Sequence, residues 1–143
     1  MTEGPIFRYR ALVKSGALSA DPAQAAVAEA LHVLHSRLID YTPGRHKGGL
    51  RGFLRISTPD PAPCGLYICG DVGRGKSMLM DLFFETAPVA LKRRVHFHSF
   101  MAETQDAIHG WRKELKAGTA RADDPIVPVA EAIADAAVLI CFD

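Results

Sequence analysis

The sequence predicts an α/β fold built on a parallel sheet and preceded by a helical N-terminal segment, and three observations carry that prediction. Short apolar runs at 66–69 and 138–142 read as strands buried on both faces. Stretches with apolar residues at helical spacing alternate with them, as in strand–helix–strand units. Between the first run and its helix lies Gly70-Asp71-Val72-Gly73-Arg74-Gly75-Lys76-Ser77, a glycine loop at a strand-to-helix junction.

Composition narrows the class. At 143 residues the chain makes one domain or part of one. With 48% hydrophobic and 23% charged residues it can bury a core, which excludes disordered, collagen-like and disulfide-scaffold classes. Seventeen Lys plus Arg against sixteen Asp plus Glu leave a net charge of +1, which argues against a surface built for nucleic acid. Cys64, Cys69 and Cys141 are odd in number and fit a reducing compartment, as small buried hydrophobes. No apolar run reaches the length of a signal peptide or a membrane span, so a soluble, cytoplasmic chain is expected.

Element by element, Phe7, Tyr9, Leu12 and Val13 suggest a short first helix broken by Gly16. Asp21-Pro22 is a strong helix start, an N-cap followed by Pro at the first helical position, and Val27, Leu31, Leu34 and Leu38 continue it to about Tyr41. Residues 43–63 are rich in Gly and Pro and carry Arg45, Lys47, Arg51 and Arg55 against Asp60, a basic connecting segment. The chain thus divides into a helical N-terminal segment with its linker, 1–62, and a second part, 63–143.

In that second part, Leu66-Tyr67-Ile68-Cys69 predicts the first strand. The stripe Met78, Leu79, Leu82 and Phe83 predicts a helix ended by Pro88. A second strand is expected over 94–100 and a helix over 101–116, with Ile108, Trp111 and Leu115 packing on one side. Asp124-Pro125 starts a helix to about Ala136, and a third strand ends on Asp143.

The glycine loop carries the chemistry. A glycine, four free positions, then Gly-Lys-Ser is the P-loop pattern, and it stands after a strand and before a helix, as its mechanism requires. Glycines let successive backbone N–H groups point inward and cradle phosphate oxygens at the positive end of the helix. The nucleotide-binding residues are therefore Gly70, Asp71, Val72, Gly73, Arg74, Gly75, Lys76 and Ser77. Lys76 is the catalytic cation reaching the β- and γ-phosphates, and Ser77 is a ligand of Mg²⁺. Asp71 and Arg74 fill free positions, with side chains expected to point outward. Asp143, at the end of a later apolar strand, is the expected metal-holding acid, beside the Ser77 hydroxyl. ATP and Mg²⁺ are the expected cofactors.

Other residues read more plainly. His96 and His98 share one face of the second predicted strand, but no further ligand completes a zinc site, and packing is the simpler role. Lys92, Arg93 and Arg94 read as a solvated strand entrance, and Trp111 as packing.

Residues 65–83 with their P-loop, the segment His96-Phe97-His98-Ser99-Phe100-Met101, and the close Cys141-Phe142-Asp143 together resemble the ZapE-type ATPases, AAA+ relatives found in bacteria and mitochondria. Tyr9, Leu12, Gly16, Leu18, Asp21 and Gln24 are similar to that family's opening segment, so the likeness spans nearly the whole chain. Asp71 departs from it, standing where the family often has glycine.

The resemblance implies ATP hydrolysis coupled to remodelling a protein partner, in bacteria at the division ring, with FtsZ as the partner it suggests. A homo-oligomer and a cytoplasmic place, peripheral to the inner membrane, are implied with it. It also implies the sheet order 5-1-4-3-2, and a catalytic Glu, a sensor and an arginine finger beyond residue 143. The chain is accordingly expected to be an N-terminal fragment with an incomplete sheet, inactive and unstable by itself. Rival readings are a P-loop small-molecule kinase and a nucleotide-binding switch without turnover. A GTPase is disfavoured, because its guanine-reading motif begins with Asn and the chain contains none.

Overall fold

A computed structural model describes residues 3–43, 61–118 and 124–143. The basic segment Arg45, Lys47, Arg51, Arg55 and Asp60 lies outside the described residues. The chain forms two compact units, Met1–Pro88 and Val89–Asp143.

The first unit is helical. α1 (Pro5–Lys14) has Pro at its start and ends before Gly16, whose φ of +77° no branched residue would adopt without strain. α2 (Pro22–Ile39) begins as its sequence dictates: Asp21 Oδ1 accepts from the N–H groups of Ala23 at 2.8 Å and Gln24 at 3.4 Å. α3 (Lys76–Thr86) follows the glycine loop. The three helices pack on one another around Ile6, Tyr9, Ala28, Leu31, Leu34, Leu38, Leu79 and Phe83. Spacings of three and four along α2 put Leu31, Leu34 and Leu38 on the buried face and leave Val33 and Ile39 exposed. Each buried Leu contributes about 1.5–3 kcal/mol of burial free energy. Arg8 and Glu85 pair at 2.6 Å between α1 and α3.

The second unit holds a parallel two-stranded sheet. β1 (Lys92–Val95) and β2 (Leu139–Phe142) pair with Lys92 opposite Leu139 and Val95 opposite Phe142, joined through α4 (Phe97–Lys116) and α5 (Ile126–Ala136). Ile108, Val129, Ala137 and Cys141 form its buried centre. Phe142 takes Phe100 and Phe97 edge-on, at ring distances of 4.9 and 5.9 Å. Asp124 Oδ1 accepts from the Ile126 N–H at 2.9 Å, one residue ahead of Pro125, which is the N-cap of α5.

Several expectations are corrected. The segment 66–69 is not a strand: it has no ladder partner among the described residues, and Tyr67 is 93% exposed. An apolar run becomes a buried strand only when neighbours supply ladder hydrogen bonds and cover its faces. Cys64 and Cys69 are accordingly exposed, and only Cys141 is buried.

The second strand is also shorter than its alternation suggests. It ends at Val95, and residues 97–100 already belong to α4, so His96 is a helix N-cap and His98 lies in the first turn. The two imidazoles do not share a strand face. Period-two and helical patterns coincide over so short a run, and tertiary packing of Phe97 and Phe100 on Phe142 decides for helix. Leu115 is exposed, while Ile108 is buried and Trp111 half-buried.

Candidate functional site

The loop between residues 70 and 75 is shaped by its glycines. Gly73 and Gly75 both have φ of +79°, the left-handed conformation that side chains with a Cβ disfavour by about 1–2 kcal/mol. Gly75 is the N-cap of α3, its carbonyl accepting from the Leu79 N–H at 3.0 Å. The turn therefore opens directly into a helix whose first N–H groups and positive dipole end face the loop.

Lys76, the first residue of α3, folds back over that turn. Its Nζ donates to the carbonyl oxygens of Asp71 at 2.8 Å and Gly70 at 2.9 Å. The ammonium thus sits against the loop that it would help to fill with phosphate, a compact cation with three rotatable donors. Ser77 follows in the first turn of α3. Asp71, Val72 and Gly73 are exposed.

Arg74 is exposed too, as expected of a free loop position, yet it finds partners at the start of α2. Its guanidinium donates to Asp21 Oδ2 at 3.1 Å, and its carbonyl oxygen accepts from Gln24 Nε2 at 3.1 Å. Asp21 thereby serves two structures with two oxygens: Oδ1 caps α2 and Oδ2 holds the loop's arginine. The Ala23 and Gln24 N–H groups, and then the Arg74 charge, lower the Asp21 pKa below its ordinary value of 3.8. A cavity of about 270 Å³ lies between the start of α2 and the loop, lined by Asp21, Gln24, Val27, Ile68, Gly70 and Lys76 among others.

Asp21 and Gln24 are the site residues that reasoning on chemistry missed. Their cap and helix positions were legible, and the resemblance had singled them out, but no spacing rule links them to a loop some fifty residues on.

Asp143 stands in the second unit at the end of β2. Its backbone N–H donates to Val95 O at 3.2 Å, its carbonyl accepts from the Phe97 N–H at 3.0 Å, and its carboxylate accepts from Arg94 at 2.8 Å. The backbone of Asp143 is thus fixed by β1 and the start of α4, and its carboxylate by Arg94 of β1. Ser77 and Asp143 both offer the hard oxygen donors that suit Mg²⁺. Among the described residues no group of three or more His, Cys, Asp or Glu is placed to hold a metal by itself. No helix among them is long and apolar enough to cross a membrane.

A glycine turn of sequence Gly-x-x-x-x-Gly-Lys-Ser that opens into a helix, with its lysine over the loop, defines a P-loop nucleotide-binding protein. The particular family follows from comparison: the AFG1-like ATPase family model matches residues 3–143, and the chain belongs to that family. It is similar to the cell division protein ZapE of Escherichia coli, 31% identical over 97% of this chain and 37% of that protein. It is also similar to lactation elevated protein 1 homolog B of Danio rerio, 47% identical over 61% of this chain and 18% of that protein. A third relative, an uncharacterised protein of Schizosaccharomyces pombe, is 31% identical over 97% of this chain and 36% of its own length. The chain spans little more than a third of the length of the relatives that it matches almost throughout. No solved structure matches it.

Proposed function

We propose that this chain supplies the phosphate-binding part of an ATPase that converts ATP turnover into remodelling of a protein partner. One observation carries the reading: a glycine turn, left-handed at Gly73 and Gly75, opens into α3 with the Lys76 ammonium lying over its carbonyls. Phosphoryl transfer is mostly positioning and charge neutralisation, which is the work such a loop can do. The loop amides of residues 70–77 hold the phosphate oxygens, and Lys76 leaves the Gly70 and Asp71 carbonyls for the β- and γ-phosphates. Ser77 and Asp143 are the residues that would hold Mg²⁺, which when bound offsets phosphate charge.

The partner is a protein, with FtsZ the candidate implied by the resemblance to the ZapE-type ATPases, and the working form is a homo-oligomer. Its place is the cytoplasm, peripheral to the inner membrane at the division site. Nucleic acid is not its partner, in keeping with the net charge of +1.

ATP hydrolysis by the intact gene product, set beside its Lys76→Ala variant, tests the reading. Turnover that the substitution abolishes supports it. Turnover that survives Lys76→Ala, or an intact protein that does not bind ATP, overturns it.

A further inference from the structure

We propose that Asp21 and Gln24, at the start of α2, are positioning residues of the phosphate loop, so that the N-terminal helices are part of the nucleotide site. The inference rests on the nucleotide-binding reading above and adds to it two residues from outside the P-loop.

The contacts converge on Arg74, the residue between the two left-handed glycines. Gln24 Nε2 takes its carbonyl and Asp21 Oδ2 takes its guanidinium, so backbone and side chain are both held. Gln24 also packs so closely on Gly75 that a Cβ there would come within 2.9 Å of Nε2. Gln24 Oε1 is buried and without a hydrogen-bond partner among the described residues, so the amide gives up one of its own bonds to make this contact. The anchor behind them is firm. The hydroxyl of Tyr9, itself buried in α1, donates to the Asp21 carbonyl at 3.1 Å and accepts from the Asp21 N–H at 3.3 Å.

Neither loop contact is needed to form α2, because Oδ1 alone supplies the cap. Their effect falls on the loop. Glycine loses more conformational freedom on ordering than any other residue, and a loop that must order its glycines on meeting phosphate loses affinity. Clamping Arg74 fixes the turn between Gly73 and Gly75 before the nucleotide arrives. The Asp21 carboxylate also holds the arginine, leaving Lys76 as the cation over the loop.

Two variants of the intact protein separate this role from a structural one. Asp21→Asn keeps an equally good N-cap and removes the charge that holds Arg74. Gln24→Met keeps chain length and helix propensity and removes the donor. ATP affinity is read by titration with a fluorescent ATP analogue and competition by ATP. The melting temperature without nucleotide and the separate kcat and KM values are read alongside.

The expected result is about fivefold weaker ATP binding for each variant, the loss of one hydrogen bond, appearing in KM with kcat within about twofold and the Asp21→Asn melting temperature unchanged. Wild-type affinity in both variants overturns the proposal alone. So does an affinity loss confined to Gln24→Met and matched by a fall in its melting temperature. A wild-type protein that does not bind ATP overturns the nucleotide-site reading and this proposal with it.

Discussion

His35 donates from Nε2 to the carbonyl oxygen of Thr86 at 3.1 Å, tying the middle of α2 to the last residue of α3. A carbonyl only accepts, so the imidazole carries its hydrogen on Nε2, and Nδ1 is left as a buried acceptor without a partner among the described residues. The ring stacks on His32 at 5.7 Å.

The first prediction follows from that burial. Removal from water disfavours the charged ring and lowers the His35 pKa below its ordinary value of 6.5; the neighbouring His32 adds to this and the Thr86 carbonyl opposes it. In the unfolded chain the ring protonates at its ordinary pKa. The unfolded state therefore binds more protons between the two values, and stability is full above about pH 6.5 and falls as pH drops below it. Melting temperatures measured from pH 8 to pH 5 should show that decline in the wild type and a flatter course in His35→Gln. Equal slopes would remove His35 as its source.

Lys76 gives the second. Its ammonium partners are carbonyls of an exposed loop that water can serve in its place. Lys76→Ala should leave the melting temperature without nucleotide within about 2 °C, a small surface effect. The stabilisation by ATP, about 2.7 kcal/mol at a hundred times Kd in the wild type, should disappear. Thermal melts with and without ATP check both halves.

The third contrasts two glycines with the same φ. Gly73 has open space where a Cβ would go, so Gly73→Ala should cost only the left-handed strain of about 1–2 kcal/mol. Gly75→Ala carries that strain and must also displace the Gln24 amide, so it should be the more damaging substitution for both melting temperature and ATP affinity. Equal losses in the pair would mean that the contact with Gln24 is soft.

Thiol reactivity supplies the fourth. Cys64 and Cys69 are exposed and Cys141 is buried, so an aromatic disulfide reagent should titrate Cys64 and Cys69 in the native protein and Cys141 only after denaturant is added. Substituting Cys141 with Ser should leave the native thiol count unchanged.

The sequence made the local features legible. The Asp21 cap, the Leu31, Leu34 and Leu38 stripe, and the glycine loop opening into α3 each depend on residues within a turn or two of one another, where backbone sterics and hydrogen-bond reach leave few alternatives. The chemical meaning of Lys76 and Ser77 was legible for the same reason: their spacing from the glycines is itself the mechanism.

What the tertiary structure alone decided was every relationship that spans a long stretch of chain. A run such as Leu66-Tyr67-Ile68-Cys69 has the composition of a buried strand, yet burial and pairing come from other segments, and these leave Tyr67 in solvent. Whether residues 97–100 extend β1 or begin α4 turned on where Phe97 and Phe100 could meet Phe142. The hold of Asp21 and Gln24 on Arg74 joins residues about fifty apart, and no local pattern encodes it. Sequence determines contacts that the chain makes with its near neighbours; contacts between distant segments exist only once the core has chosen which faces meet.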